Sequence, residues 1–104
     1  MKSKKIKAFE RERPMQTIID KAVSLEYGFN PELSKWDQCE KIKDFISYRF
    51  NIYVWVVPRS DFTFVPYSQD LRAGSTNRKK YGFCKCHKQA FIEGLLAAIF
   101  EIKY

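Results

Sequence analysis

The chain has 104 residues, enough for one domain with a single modest hydrophobic core and too few for two such cores. Hydrophobic residues make up 45% of it and aromatic residues 16%, a composition that excludes a chain disordered throughout. Nineteen Lys and Arg against twelve Asp and Glu give a formal net charge of +7. Such an excess is typical of proteins that attract phosphate or acidic partners, and also of solvated tails and loops.

The N-terminal residues 1–13 are predicted to form a basic flexible tail, and residues 14–104 a single α+β domain. Pro14 suits the first turn of a helix, apolar residues repeat at helical spacing after it, and Gly28 is a plausible stop. The basic start resembles the flank of a signal peptide, but charged residues follow where an apolar stretch would be required. We therefore expect a cytoplasmic protein that does not bind membranes, with its three cysteines as free thiols.

A second helix is predicted from Ser34 to about Arg49, because Ser34 is a good N-cap residue and Asp37 follows three positions later. Its buried stripe would contain Trp36, Cys39, Ile42, Phe45 and Ile46.

Residues 51–58 and 61–67 are rich in β-branched and aromatic side chains, and the turn residues between them predict a β-hairpin. The first strand is apolar on both faces, so we expect both faces to be covered. Pro66 cannot donate a ladder hydrogen bond, which places the second strand at a sheet edge or ends its pairing there.

Residues 70–83 are polar and basic without periodicity, and predict a mobile loop. A final amphipathic helix is predicted over residues 87–103, with Gly94 allowing a neighbour to approach closely. The predicted fold is α+β, with three helices packed on an antiparallel β-hairpin in the order α-α-β-β-α.

One local motif offers soft metal ligands: Cys84, Cys86 and His87 are close in sequence, and Cys39 could complete a set of four. The spacing of one residue between the cysteines is poor for zinc, so this is a weak candidate set. The same residues could supply a Cys–His nucleophile, but no orienting third group is evident. We predict neither a catalytic residue nor a cofactor, and therefore not an enzyme.

The second face of the hairpin could stack nucleic-acid bases on its aromatic rings, including Phe62, Phe64 and Tyr67, while Arg49, Arg59 and the basic loop contact phosphates. Alternatively, these aromatics fill the core or close a homodimer. The candidate nucleic-acid-binding residues are Lys4, Lys5, Lys7, Tyr53, Trp55, Arg72, Arg78, Lys79, Lys80 and Lys85.

Two stretches, residues 51–58 after a helix and residues 90–102, together resemble small uncharacterised proteins of Bacteroidetes and their phages or mobile elements. The resemblance implies the α-α-β-β-α arrangement and no known activity or site residue. The leading functional hypothesis is a non-enzymatic interaction or accessory protein that binds a protein partner or forms a homodimer. The alternative is a nucleic-acid-binding module that uses the basic tail, the basic loop and the hairpin aromatics.

Overall fold

A computed structural model describes residues 2–72 and 78–102, with side chains from residue 12 onward in those ranges. The elements are α1 (Lys2–Ser24), α2 (Lys35–Phe50), β1 (Ile52–Pro58), β2 (Phe64–Asp70), β3 (Arg78–Lys80) and α3 (His87–Phe100). The strands form one antiparallel sheet in the order β1-β2-β3. The α+β class, the three helices and the hairpin are confirmed, and β3 changes the element order to α-α-β-β-β-α.

Helix α1 begins at Lys2, so residues 2–13, predicted as a tail, lie within it, and the prediction of a start at Pro14 was wrong. Most residues before Pro14 are Lys, Glu, Arg or Ala, which favour helix and so allow the chain to stay helical through the proline. The helix ends before Gly28. Glu26 takes the left-handed conformation with φ 74°, and the Tyr27 and Glu26 N–H groups donate to the carbonyls of Ala22 and Val23, as in a Schellman motif.

Helix α2 begins as predicted, because the Ser34 hydroxyl accepts a hydrogen bond of 3.1 Å from the Asp37 N–H. It ends at Phe50 and is capped by Asn51, whose φ of 58° is left-handed. The buried stripe also contains Gln38, which was not predicted. Its side-chain carbonyl accepts a hydrogen bond of 2.7 Å from the Tyr27 hydroxyl, and its amide donates to the Asn30 carbonyl.

The hydrophobic core lies between the three helices and one face of the sheet. Ile52 and Val54 of β1 are buried on this inner face, and α3 packs directly against it. A Cβ atom on Gly94 would lie 3.0 Å from the Pro66 Cβ and 3.3 Å from a Val54 methyl group, so the predicted close approach at Gly94 is confirmed. The opposite, outer face carries no helix within the described residues. The expectation that both faces of the first strand are covered was therefore wrong.

Strand β3 corrects the prediction of a mobile loop over residues 70–83. Asp70 ends β2 and Arg78–Lys80 pair with Gln69, Ser68 and Tyr67, while residues 73–77 lie outside the described ranges. Strand β2 is consequently the central strand, and Pro66 acts by ending the regular pairing with β3. The Tyr81 N–H donates to the Pro66 carbonyl at 3.0 Å, and proline has no N–H to return the bond.

A β-bulge follows this interruption. Phe64 and Cys84 exchange backbone hydrogen bonds of 2.7 and 2.9 Å, so Gly82 and Phe83 together oppose the single residue Val65. The extra residue carries the chain from the sheet to the start of α3 and leaves Phe83 62% exposed.

Candidate functional site

The candidate site is the outer sheet face, formed by the strand side chains that point away from the helices. Alternation and register assign eight residues to it: Tyr53, Trp55 and Val57 of β1, Val65, Tyr67 and Gln69 of β2, and Arg78 and Lys80 of β3. None of the eight carries a carboxylate. The face is therefore aromatic and apolar on the β1 side and cationic on the β3 side.

Its aromatic part is ordered by cross-strand pairing. Trp55 lies opposite Tyr67, and their rings stack with centroids 5.6 Å apart and an angle of 9° between the ring planes. Tyr53 lies two residues before Trp55 on the same face and is 44% exposed. Trp55 and Tyr67 are half-buried, whereas Val65 on the same face is 1% exposed, so the face is partly open at its aromatic rings.

Its cationic part extends beyond the strands. Arg78 and Lys80 are exposed at positions opposite Gln69 and Tyr67. The Arg59 guanidinium lies 4.8 Å from the centroid of the Phe83 ring, and the Lys80 ammonium lies 5.6 Å from it. Phe83 thus holds two cations from different segments beside the aromatic surface.

The tip of the β1–β2 hairpin adds a further exposed ring. Phe62 has φ 61°, a left-handed conformation that is unfavourable for a bulky residue, and it is 88% exposed. The turn around it is held by hydrogen bonds from the Arg59 N–H to the Thr63 carbonyl and from Thr63 to the Asp61 carboxylate. The Thr63 hydroxyl bond lowers the pKa of Asp61. An exposed aromatic in a strained conformation favours a binding role over a packing role.

The structure brings together only part of the predicted basic set. Tyr53, Trp55, Arg78 and Lys80 share the outer sheet face, whereas Lys79 points the other way. Lys79 forms an ion pair with Glu101, and this hydrogen bond raises the pKa of Lys79.

Arg72 donates hydrogen bonds of 2.6–3.1 Å to both carboxylate oxygens of Asp70, which lowers the pKa of Asp70 and neutralises the charge locally. Lys85 is exposed in the bend before α3. The side chains of Lys4, Lys5 and Lys7 lie outside the described part of the chain.

Two further predicted positions lie elsewhere. Phe64 lies on the inner face of β2, and its ring contacts that of His87 edge to face, with ring centroids 5.6 Å apart. Arg49 pairs with Glu26 at 2.8 Å. Sequence reasoning missed Phe83, because nothing in the local pattern indicates the bulge that exposes it.

The weak metal-binding set is not assembled. Cys39 is buried against the Met15 carbonyl, and the Cys84 thiol donates to Glu93 at 2.9 Å. Burial raises the pKa of Cys39 to about 12, and burial together with Glu93 raises the pKa of Cys84 to about 12, so both remain protonated at neutral pH. Residues 2–72 and 78–102 contain no group of three or more potential His, Cys, Asp or Glu ligands placed to hold a metal ion.

Comparisons with protein-family models, with curated proteins and with solved structures find no match. The resemblance of residues 51–58 and 90–102 to proteins of Bacteroidetes therefore stays a prediction. Over the described residues, no helix combines the length and apolar character needed to cross a membrane.

Proposed function

We propose that the outer sheet face binds single-stranded nucleic acid. Bases stack on the rings of β1 and β2, and phosphates lie against the cations of β3 and Arg59. The observation that carries the proposal is the division of one partly exposed face into an aromatic side and a cationic side with no carboxylate between them.

The spacing of the aromatic rings along the strands supports this arrangement. Residues two apart on a strand are separated by about 6.8 Å, so Tyr53 and Trp55 present neighbouring rings along the direction of β1. Each base stacked on such a ring contributes about 1–3 kcal/mol with little dependence on sequence. Bases within a duplex are already stacked on one another, so this surface favours a single strand.

The positive charge of the outer sheet face favours a polyanion over a second copy of the chain as the molecule bound there. Face-to-face pairing of two copies would bring both sets of Arg59, Arg78 and Lys80 to the same interface. Their repulsion opposes that arrangement, whereas nucleic-acid phosphates neutralise it. A protein partner or a homodimer formed through another surface stays a prediction.

Anisotropy of labelled oligonucleotides at several salt concentrations tests the proposal. We expect single strands to bind more tightly than duplexes, with affinity falling as salt rises. The double variant Arg78→Gln, Lys80→Gln should reduce the logarithmic salt slope by about 1.4, because each single-strand phosphate contact contributes about 0.7. Lys79→Gln is the matched control, since it removes a charge from the same strand on the opposite face.

Stacking is tested separately by Trp55→Leu, which keeps an apolar side chain but removes the ring. Affinity should fall about tenfold, or about 1.4 kcal/mol, with an unchanged salt slope. Absence of binding at low salt, or equal effects of Lys79→Gln and the double variant, would overturn the proposal.

A further inference from the structure

A cleft of about 810 Å³ borders the outer sheet face at Phe83 and lies between the N-terminal end of α3 and side chains from α1 and α2. Its lining includes Met15, Trp36, Phe83, Lys85, Lys88 and Glu93. Phe83 lines the cleft and also lies beside Lys80 of the outer sheet face, so the two surfaces are adjacent there.

Trp36 supplies a ring at the wall of this cleft. The indole is half-buried and is held by an edge-to-face contact with Phe91, with ring centroids 5.3 Å apart. The Lys88 ammonium lies 5.1 Å from the centroid of the indole, and Lys88 itself is exposed. An exposed cation–π contact is weaker than the stacking of a nucleobase on tryptophan, so a base can replace the ammonium over the ring.

Glu93 supplies a carboxylate that accepts hydrogen bonds from two side chains. One of its oxygens accepts from the Cys84 thiol at 2.9 Å, and the other accepts from the Gln89 amide at 3.4 Å. Each carboxylate oxygen has a second lone pair, so both remain able to accept from a ligand. Glu93 thus offers two adjacent acceptors in the cleft that Trp36 also lines.

We propose that this cleft binds one guanine nucleotide of the strand. The base stacks on Trp36, Glu93 accepts from the guanine N1–H and the N2 amino group, and Lys85 and Lys88 contact the phosphate. Guanine is the base whose Watson–Crick edge presents two adjacent donors, whereas adenine, cytosine and uracil each present a single donor group on that edge. The choice of a nucleotide as ligand rests on the proposed function of the sheet.

The two tryptophans of the chain allow each surface to be observed alone. In the full-length variant Trp55→Phe, the remaining fluorophore is Trp36 in the cleft. In Trp36→Phe, it is Trp55 on the sheet. We expect GMP to quench Trp36 in a saturable manner, with an affinity at least tenfold higher than that of AMP, CMP or UMP.

Two variants in the Trp55→Phe background test the roles of the polar groups. Glu93→Gln should reduce the preference for GMP over AMP to less than threefold, because an amide replaces one acceptor by a donor. Lys88→Gln should weaken GMP severalfold relative to guanosine, because guanosine has no phosphate for the ammonium to contact.

Equal quenching of Trp36 by GMP and AMP, or none by GMP, would overturn the inference. A dT oligonucleotide that still quenches Trp55 in Trp36→Phe would then show that the sheet binds single strands without the cleft. If GMP quenches Trp36 selectively while no oligonucleotide affects Trp55, the cleft stands and the proposed function of the sheet fails.

Discussion

The two faces of the sheet contain similar residues, but only the inner face packs against the helices. On β1, Val54 points inward, is 7% exposed and meets α3 at Gly94, while Val57 points outward and is 38% exposed. Both are valines on one strand, three positions apart. Side-chain hydrophobicity therefore did not decide which face became core. Helix packing covered one face and left the other as an aromatic and basic surface.

The most direct test of this difference makes one substitution on each face. Val54→Ala should lower the free energy of unfolding by about 2 kcal/mol, from lost burial and the cavity left behind. Val57→Ala should cost about 0.5 kcal/mol, because Val57 is 38% exposed and its truncation opens to solvent instead of leaving an enclosed cavity. Urea unfolding of the two variants gives both values. Equal losses would mean that the outer face is covered in solution.

Gly94→Ala tests how closely α3 approaches the inner face. Alanine favours helix by about 1 kcal/mol over glycine, but its Cβ would lie 3.0 Å from the rigid ring of Pro66. Overpacking of this kind costs about 1–3 kcal/mol, so we expect a net loss of about 1 kcal/mol. Gly28→Ala is the control, because its Cβ meets nothing within 4 Å. A more stable Gly94→Ala protein would contradict the close approach.

The ionisation and reactivity of the three cysteines allow buried and accessible parts of the protein to be compared. The pKa values of the Cys39 and Cys84 thiols are raised to about 12. Each protonated thiol therefore contributes its full share to the free energy of unfolding below the ordinary thiol pKa near 8.5, and this contribution is lost as the pH rises toward 12. At pH 9 the loss should be below about 1 kcal/mol per thiol.

In a disulfide-exchange assay of the native protein at pH 8, we expect fast reaction of the half-buried Cys86 alone. Urea should release the other two thiols. Fast reaction of all three in the native state would show that the inner side opens readily.

The smallest expected effect concerns the hairpin tip. Phe62→Gly should stabilise the fold by about 0.5 kcal/mol, because relief of the left-handed conformation exceeds the added entropy of the unfolded chain. Glu26→Gly relieves the same conformation at the end of α1 but removes the exposed ion pair with Arg49, so it should stabilise by less. Of the two, Phe62→Gly alone should weaken oligonucleotide binding measured by anisotropy. Equal affinities of the two variants would remove Phe62 from the binding surface.

The features predicted from sequence depend on nearby residues. The Ser34 cap, the hairpin and the close contact at Gly94 follow from turn chemistry, side-chain pattern and glycine size. The features that could not be predicted from the sequence depend on residues that are distant along the chain. Strand β3 has three exposed residues in a basic run without alternation, so its pairing with β2 leaves no local signal.

The same limit applies to the candidate site. Tyr53, Trp55 and Tyr67 could be grouped by alternation and the hairpin, but the separation of Lys80 from Lys79 requires the register of β3. Likewise, the burial of Gln38 depends on Tyr27 and Asn30, which lie before the start of α2. Glu26 ends α1 in a left-handed conformation, although glycine, which the chain has two positions later at Gly28, adopts that conformation more readily.

The interruption of the ladder at Pro66 has a consequence for hydrogen exchange. Strand β3 is joined to β2 through three residue pairs and is exposed throughout, whereas β1 and β2 share seven pairs. Amides of β3 should therefore exchange through local opening long before those of the hairpin. Arg78 and Lys80 sit on a segment that can adjust its position, while Trp55 and Tyr67 stay on a rigid support.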